Sequence, residues 1–175
     1  MAPRRRPALP ADVAVHLAAG ERLLAVAALV GRGARAADEP AWVAATASGV
    51  VVLDRAGVRW RRAWTDVEHG SWAEATETLT ITWVDGSPPR ELELSPDAGR
   101  WFPEAFRDRV QASVVHVERR TLPGLGEVRA MIRRAPDGEL LSQLLVPGRR
   151  ALSPDEQATA DRLESEARRA VGLDG

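Results

Sequence analysis

The sequence predicts an α+β protein in which strands come first and a helix closes each half. Three observations carry this. Seven short apolar or alternating runs, broken by Gly, Pro and Asp turns, fill most of residues 21–95. Apolar residues then recur every fourth position at Phe102, Phe106 and Val110. Three further alternating runs follow, and the last segment begins and ends with strong helix signals.

The elements follow in order. Residues 1–18 form an Arg/Pro arm with a weak helix expected over Asp12–Ala19. Strands are expected over 21–30, 41–47, 50–54, 58–64, 67–73, 78–84 and 90–95. Ser48-Gly49 marks a tight hairpin between the second and third. Leu79, Ile81 and Trp83 alternate with threonines, so one face of the sixth strand is buried. A helix over 103–113 opens with Pro103 and Glu104, which suit the first turn, and buries Phe102, Phe106 and Val110; Trp101 braces the same face. A meander is expected over 113–122, 127–135 and 139–146. In the final helix, 153–172, Ser153 is the N-cap, Pro154 the first helical residue, Glu156 the capping-box partner and Gly172 the stop. The domain reading is an arm (1–18), a strand-rich unit with its helix (19–112), and the meander with the last helix (113–175).

Composition narrows the chemistry. The net charge is -1, which argues against a chain built to coat nucleic acid. There is no Cys, hence no disulfide, thiolate nucleophile or cysteine metal site. There is no Lys, so all 24 basic residues are Arg, and neither a Schiff base nor a phosphate-loop lysine exists. The longest apolar run, Leu23–Val30, is too short to cross a bilayer, and Asp12, His16 and Glu21 interrupt any leader-like stretch. A cytoplasmic protein is expected. His16, His69 and His116 have no metal-site spacing, no G-x-S-x-G occurs, and Asp54, Asp66, Glu68, Glu74 and Glu77 form no telling pattern. The expectation is a non-enzyme with neither cofactor nor metal.

GERLLA at the first strand, VAATASGVVVL across the second hairpin, and Trp64, Val67 and Trp72 ahead of LTITW resemble the PH-like and GRAM-like proteins of bacteria. The likeness covers about residues 19–115. RDRVQASVV before a Pro-Gly turn is similar to the C-terminal part of small actinobacterial PH-like proteins of unassigned function. The resemblance implies a seven-stranded antiparallel barrel capped by the 103–113 helix. It also implies a possible anion site, because PH domains that hold inositol phosphates use basic residues around the first hairpin loop. Arg32 and Arg35 fall in that loop, opposed by Asp38 and Glu39.

Residues 57–72, GVRWRRAWTDVEHGSW, hold three Trp and three Arg. Strand alternation puts Val58, Trp60, Arg62 and Trp64 on one side and Arg59, Arg61 and Ala63 on the other. Trp60 and Trp64 then face the core with Trp72, and Arg59 and Arg61 form an outer stripe. Arg62 is the misfit, expected at the rim where it reaches water or stacks on a Trp. Candidate ligand-binding residues are therefore Arg32, Arg35, Arg59, Arg61 and Arg62. The functional expectation is a protein-interaction or scaffold module, with an anionic lipid headgroup or small ligand at the first hairpin as the alternative. Leu140, Leu141, Leu144, Leu145 and Val146 demand cover on both faces of the last strand, from the terminal helix on one side and from the barrel or a second copy on the other.

Overall fold

The computed structural model describes residues 8–30, 40–98, 100–149 and 151–173. It is α+β, with three antiparallel sheets. Strands β1 (Leu23–Leu29), β2 (Ala41–Thr46), β3 (Gly49–Asp54) and β4 (Val58–Ala63) form the first sheet in chain order. Strands β5 (Val67–Ala73), β6 (Thr78–Trp83) and β7 (Arg90–Glu93) form the second. Helix α2 (Trp101–Ser113) leads into β8 (Val114–Leu122), β9 (Gly126–Arg134) and β10 (Leu140–Leu145), the third sheet. Helix α3 (Pro154–Ala170) ends the fold, and a single turn, α1 (Ala11–Ala14), precedes β1.

The seven expected strands are present, but they divide four and three, and none of the sheets closes into a barrel on its own. The division falls at Trp64, which leaves the strand for a 3-10 turn over Trp64–Asp66. At the opposite corner a bridge pairs Leu29 with Leu94, flanked by Val30 N–H to the Glu93 carbonyl and Ser95 N–H to the Ala28 carbonyl.

The two sheets share one core. Ala25, Val43, Val52, Ile81, Phe102 and Phe106 are among its members, so α2 inserts its Phe face as expected. Phe106 meets Trp64 edge-on at 5.4 Å, and the Trp64 Nε1–H donates to the Thr46 carbonyl at 3.0 Å. Gly70 permits this approach, because a Cβ there would stand 2.6 Å from the Phe106 ring. Trp101 does not brace this face; it stays 45% exposed, since α2 begins at Trp101 and turns that side chain outward.

The third sheet is lined on one face by α3: Val128, Ala130 and Ile132 pack against Leu163 and Ala167. Ser153 and Glu156 make both bonds of the capping box. Arg120 of β8 meets Glu166 of α3 at 2.9 Å. The other face of this sheet turns toward the first two sheets.

Candidate functional site

Of the five arginines singled out by sequence, Arg59, Arg61 and Arg62 each meet a carboxylate. Arg59 reaches Asp54 at 2.5 Å, and Asp54 also accepts from the backbone N–H groups of Ala56 and Gly57. The Arg59 hydrogen bond, against the cost of burial and with these two amides, holds the Asp54 carboxyl below its usual range. Arg61 meets Glu21 at 2.8 Å. Burial pushes Glu21 up, but hydrogen bonds from Ser48 and Thr46 and the Arg61 charge outweigh it, and its pKa is lowered. The outer stripe of Arg59 and Arg61 is thus an internally neutralised row. Arg32 and Arg35 lie outside the described residues.

Arg62 behaves as the alternation requires. It pairs across the ladder with Val50, on the inner side, and its guanidinium sits 5.2 Å over the Trp83 ring. Its charge is met by Asp85 at 3.0 Å and Asp66 at 4.0 Å. Trp60 closes on Trp83 edge-to-face at 5.9 Å and 88°. Trp72 is half-buried against the core, with its indole N–H enclosed and unbonded.

These groups border two concavities on either side of the β6–β7 turn. One, of about 450 Å³, is lined by Trp60, Arg62, Trp83, Ser87, Pro88, Pro89 and Arg90. The other, of about 530 Å³, lies between the second and third sheets and is lined by Trp83, Asp85, Glu68, Arg129, Leu145 and Pro147, among others. Asp85 caps the turn by accepting from the Ser87 N–H at 2.8 Å; that bond and the Ser87 hydroxyl, with Arg62 beyond, lower its pKa. Trp83 is 3% exposed and forms the shared wall. Both volumes fall in the range of sites that hold a side chain or small ligand.

Sequence reasoning missed the joint between the third sheet and the rest. Three side chains on the inward face of that sheet grip the β4–β5 corner. Arg133 Nη1 donates to the Trp64 carbonyl at 2.9 Å and the Ser113 hydroxyl at 3.1 Å. Gln143 Nε2 donates to the Thr65 carbonyl at 2.9 Å, and Arg129 meets Glu68 at 2.5 Å. Arg133 is 0% exposed. Burial lowers its pKa, with Glu68 opposing and Arg129 reinforcing the shift. Its Nε and Nη2 and the Gln143 Oε1 have no hydrogen-bond partner. The available signal was the alternation of Val128, Ala130 and Ile132, which sends Arg129, Met131 and Arg133 to the opposite face.

The three histidines serve separate elements. His16 bonds the Arg55 carbonyl at 2.9 Å, His69 faces Thr82 at 3.5 Å, and His116 meets Glu118 at 2.8 Å. Among the described residues no three His, Asp or Glu side chains gather as a metal set. No protein-family model matches the sequence, and no curated protein is similar to it.

Proposed function

We propose that this chain is a non-catalytic cytoplasmic interaction module that engages another protein through the aromatic and proline surface around the β6–β7 turn. The observation that carries this is the Trp60–Trp83–Arg62 stack beside Pro88 and Pro89, with Arg62 countered by Asp85 and Asp66 and a second, exposed arginine, Arg90, on the same groove. An aromatic and arginine centre rimmed by satisfied polar pairs is the chemistry of protein contact. We read the first seven strands and α2 as a PH-like unit related to the GRAM-like proteins of bacteria. Support comes from the four-plus-three strand order, the Leu29–Leu94 corner and the Phe face of α2 set into the shared core.

The headgroup alternative has less behind it. Arg59, Arg61 and Arg62 are each engaged by a carboxylate, which leaves Arg32 and Arg35 to carry it. Self-association keeps only part of its motive: α3 covers Leu140 and Leu144 and Gln143 bonds the β4–β5 corner, while Leu141 stays 38% exposed. No described helix is long and apolar enough to cross a membrane.

The test pairs two measurements. Proteins captured from the native cell by the wild type are compared with those captured by Arg62→Glu/Pro89→Glu. A partner lost with the double variant and kept by a variant on α3 supports the reading. Binding to anionic vesicles at low salt, abolished by Arg32→Ala/Arg35→Ala, with no groove-dependent partner, overturns it in favour of the headgroup.

A further inference from the structure

All 24 basic residues of this chain are arginines. Arg55, Arg59, Arg61, Arg62, Arg100 and Arg129 each have a carboxylate within ion-pair distance. One place departs from this pattern. A concavity of about 120 Å³ lies where the end of α2, the β2–β3 hairpin and the β9–β10 turn meet. Arg109 and Ser113 line it from α2, Ala47 from the hairpin, Trp64 from the β4–β5 corner, and Arg134 and Pro136 from the end of β9. Its lining holds two arginines and no carboxylate.

A third arginine stands directly behind the wall. Arg133 Nη1 donates to the Ser113 hydroxyl and the Trp64 carbonyl, and both of those residues line the concavity. Arg133 is fully buried, and its Nε and Nη2 have no acceptor. Among the described residues, none of the three guanidiniums has an ion-pair partner. Arg134 has only a 3.4 Å bond to the Gly138 carbonyl. The acids whose charge acts on Arg133 are engaged elsewhere: Glu68 by Arg129 and Asp66 by Arg62. Asp137, in the adjacent turn, accepts from the Glu139 amide. The carboxyl end of α2 contributes about half a negative charge. The Ser113 hydroxyl, donating to the Val110 carbonyl at 2.6 Å, already satisfies one of the groups that carry it. Half a charge offsets only a small part of three. A cation withdrawn from water with no counter-charge is costly, and an anion placed beside it relieves that cost.

We propose that this concavity is a binding site for a small oxyanion of the phosphate class. Arg109 and Arg134 are its direct ligands, and Arg133 adds a fixed positive charge behind Ser113. The guanidinium fork matches the oxygens of a phosphate two at a time, so two arginines suffice to orient one group. About 120 Å³ is the space of roughly four waters at ~30 Å³ each, which admits one phosphate-sized group and is too small for a nucleotide. Ala47, Trp64, Ala135 and Pro136 supply an apolar surround, where charges attract more strongly than in open water. The site shares no residue with the Trp60–Trp83 groove or with Arg32 and Arg35, and it depends on neither. Free phosphate and the terminal phosphate of a lipid headgroup offer this site the same chemistry.

The first test titrates inorganic phosphate into the full chain, with sodium chloride of matched ionic strength as the control. The Trp64 indole resonance and the amides of Ala47, Ser113 and Ala135 are expected to shift saturably with phosphate and not with chloride. Arg109→Gln/Arg134→Gln alters two side chains outside the core. It is expected to keep the folded spectrum and to weaken phosphate binding tenfold or more. Arg119→Gln, at an exposed arginine of β8, is expected to leave binding unchanged. No saturable response to phosphate in the wild type, or an equal response in the double variant, overturns the proposal. Vesicles of phosphatidylcholine with and without phosphatidic acid then separate the two sources. Phosphatidic-acid binding that free phosphate competes away and the double variant loses assigns the site to a headgroup. Phosphate binding without vesicle binding assigns it to a soluble ligand.

Discussion

The outer face of the first sheet and the Arg133 seam of the third are both buried, and by opposite means. Leu9, Val13 and Leu17 cover the first mainly through apolar area, with the exposed Asp12–Arg55 pair and the His16 bond to the Arg55 carbonyl beside them. Arg129, Arg133 and Gln143 bind the second through directed bonds to Glu68, Trp64 and Thr65. Apolar cover is non-directional, so another segment of similar stripe can take its place. A buried hydrogen-bonded seam tolerates one register only, because each slipped bond leaves a polar group unpaired. The first face is therefore held by apolar area and the second by directed bonds.

Breaking the seam is expected to cost most. Arg133→Ala removes the side chain from a fully buried position and strips a donor from the Trp64 carbonyl, and should lose about 3–5 kcal/mol in urea unfolding. Arg133→Met sharpens the point: it keeps the volume and relieves a buried charge, and should stay within about 1 kcal/mol of the wild type. If Met is as damaging as Ala, the charge itself holds the joint. Gln143→Leu comes next. It leaves the Thr65 carbonyl without that bond and should cost about 1–3 kcal/mol.

The cover should be gentler. Val13→Ala removes two carbons from full burial and should cost roughly 1–2 kcal/mol at about 0.8 per CH₂. Adding Leu17→Ala should cost less than the sum, since an arm already released has nothing further to lose. Strict additivity would argue that the arm belongs to the core.

The smallest effect is on pH. Glu21 and Asp54 titrate below their ordinary values of 4.5 and 3.8 when folded. Their stabilisation is complete above those ordinary values and is lost as the pH falls through the lower folded ones. Glu21→Gln and Asp54→Asn should therefore lower the unfolding midpoint most at neutral pH, where that stabilisation is complete, and flatten its acid limb, so that variant and wild type converge as the pH falls.

Much of the architecture was legible from local signals. The alternation of TLTITW, the Ser48-Gly49 turn, the Phe102–Phe106–Val110 spacing and the Ser153–Glu156 box all lie within a few residues of what they specify. Arg62 was legible too, since alternation alone set it among the tryptophans; that its ring is Trp83, from another sheet, was not. The carboxylate partners of Arg59 and Arg61 escaped because ion pairs carry no periodicity. Asp54 is five residues from Arg59, but Glu21 lies on the far side of two strands.

By itself the sequence determined the α+β class, the ten strands and their order, the two long helices and the capping box of the second, and the absence of Cys and Lys nucleophiles. Local periodicity and turn chemistry suffice for these, because each depends on neighbours along the chain. Only the tertiary structure decided that seven strands split at Trp64 into two sheets, and that a second apolar face lies under the arm. It also decided that one arginine of an Arg-rich chain, Arg133, is wholly buried. Those outcomes turn on which faces meet across long separations, and a residue's own neighbours carry no record of that.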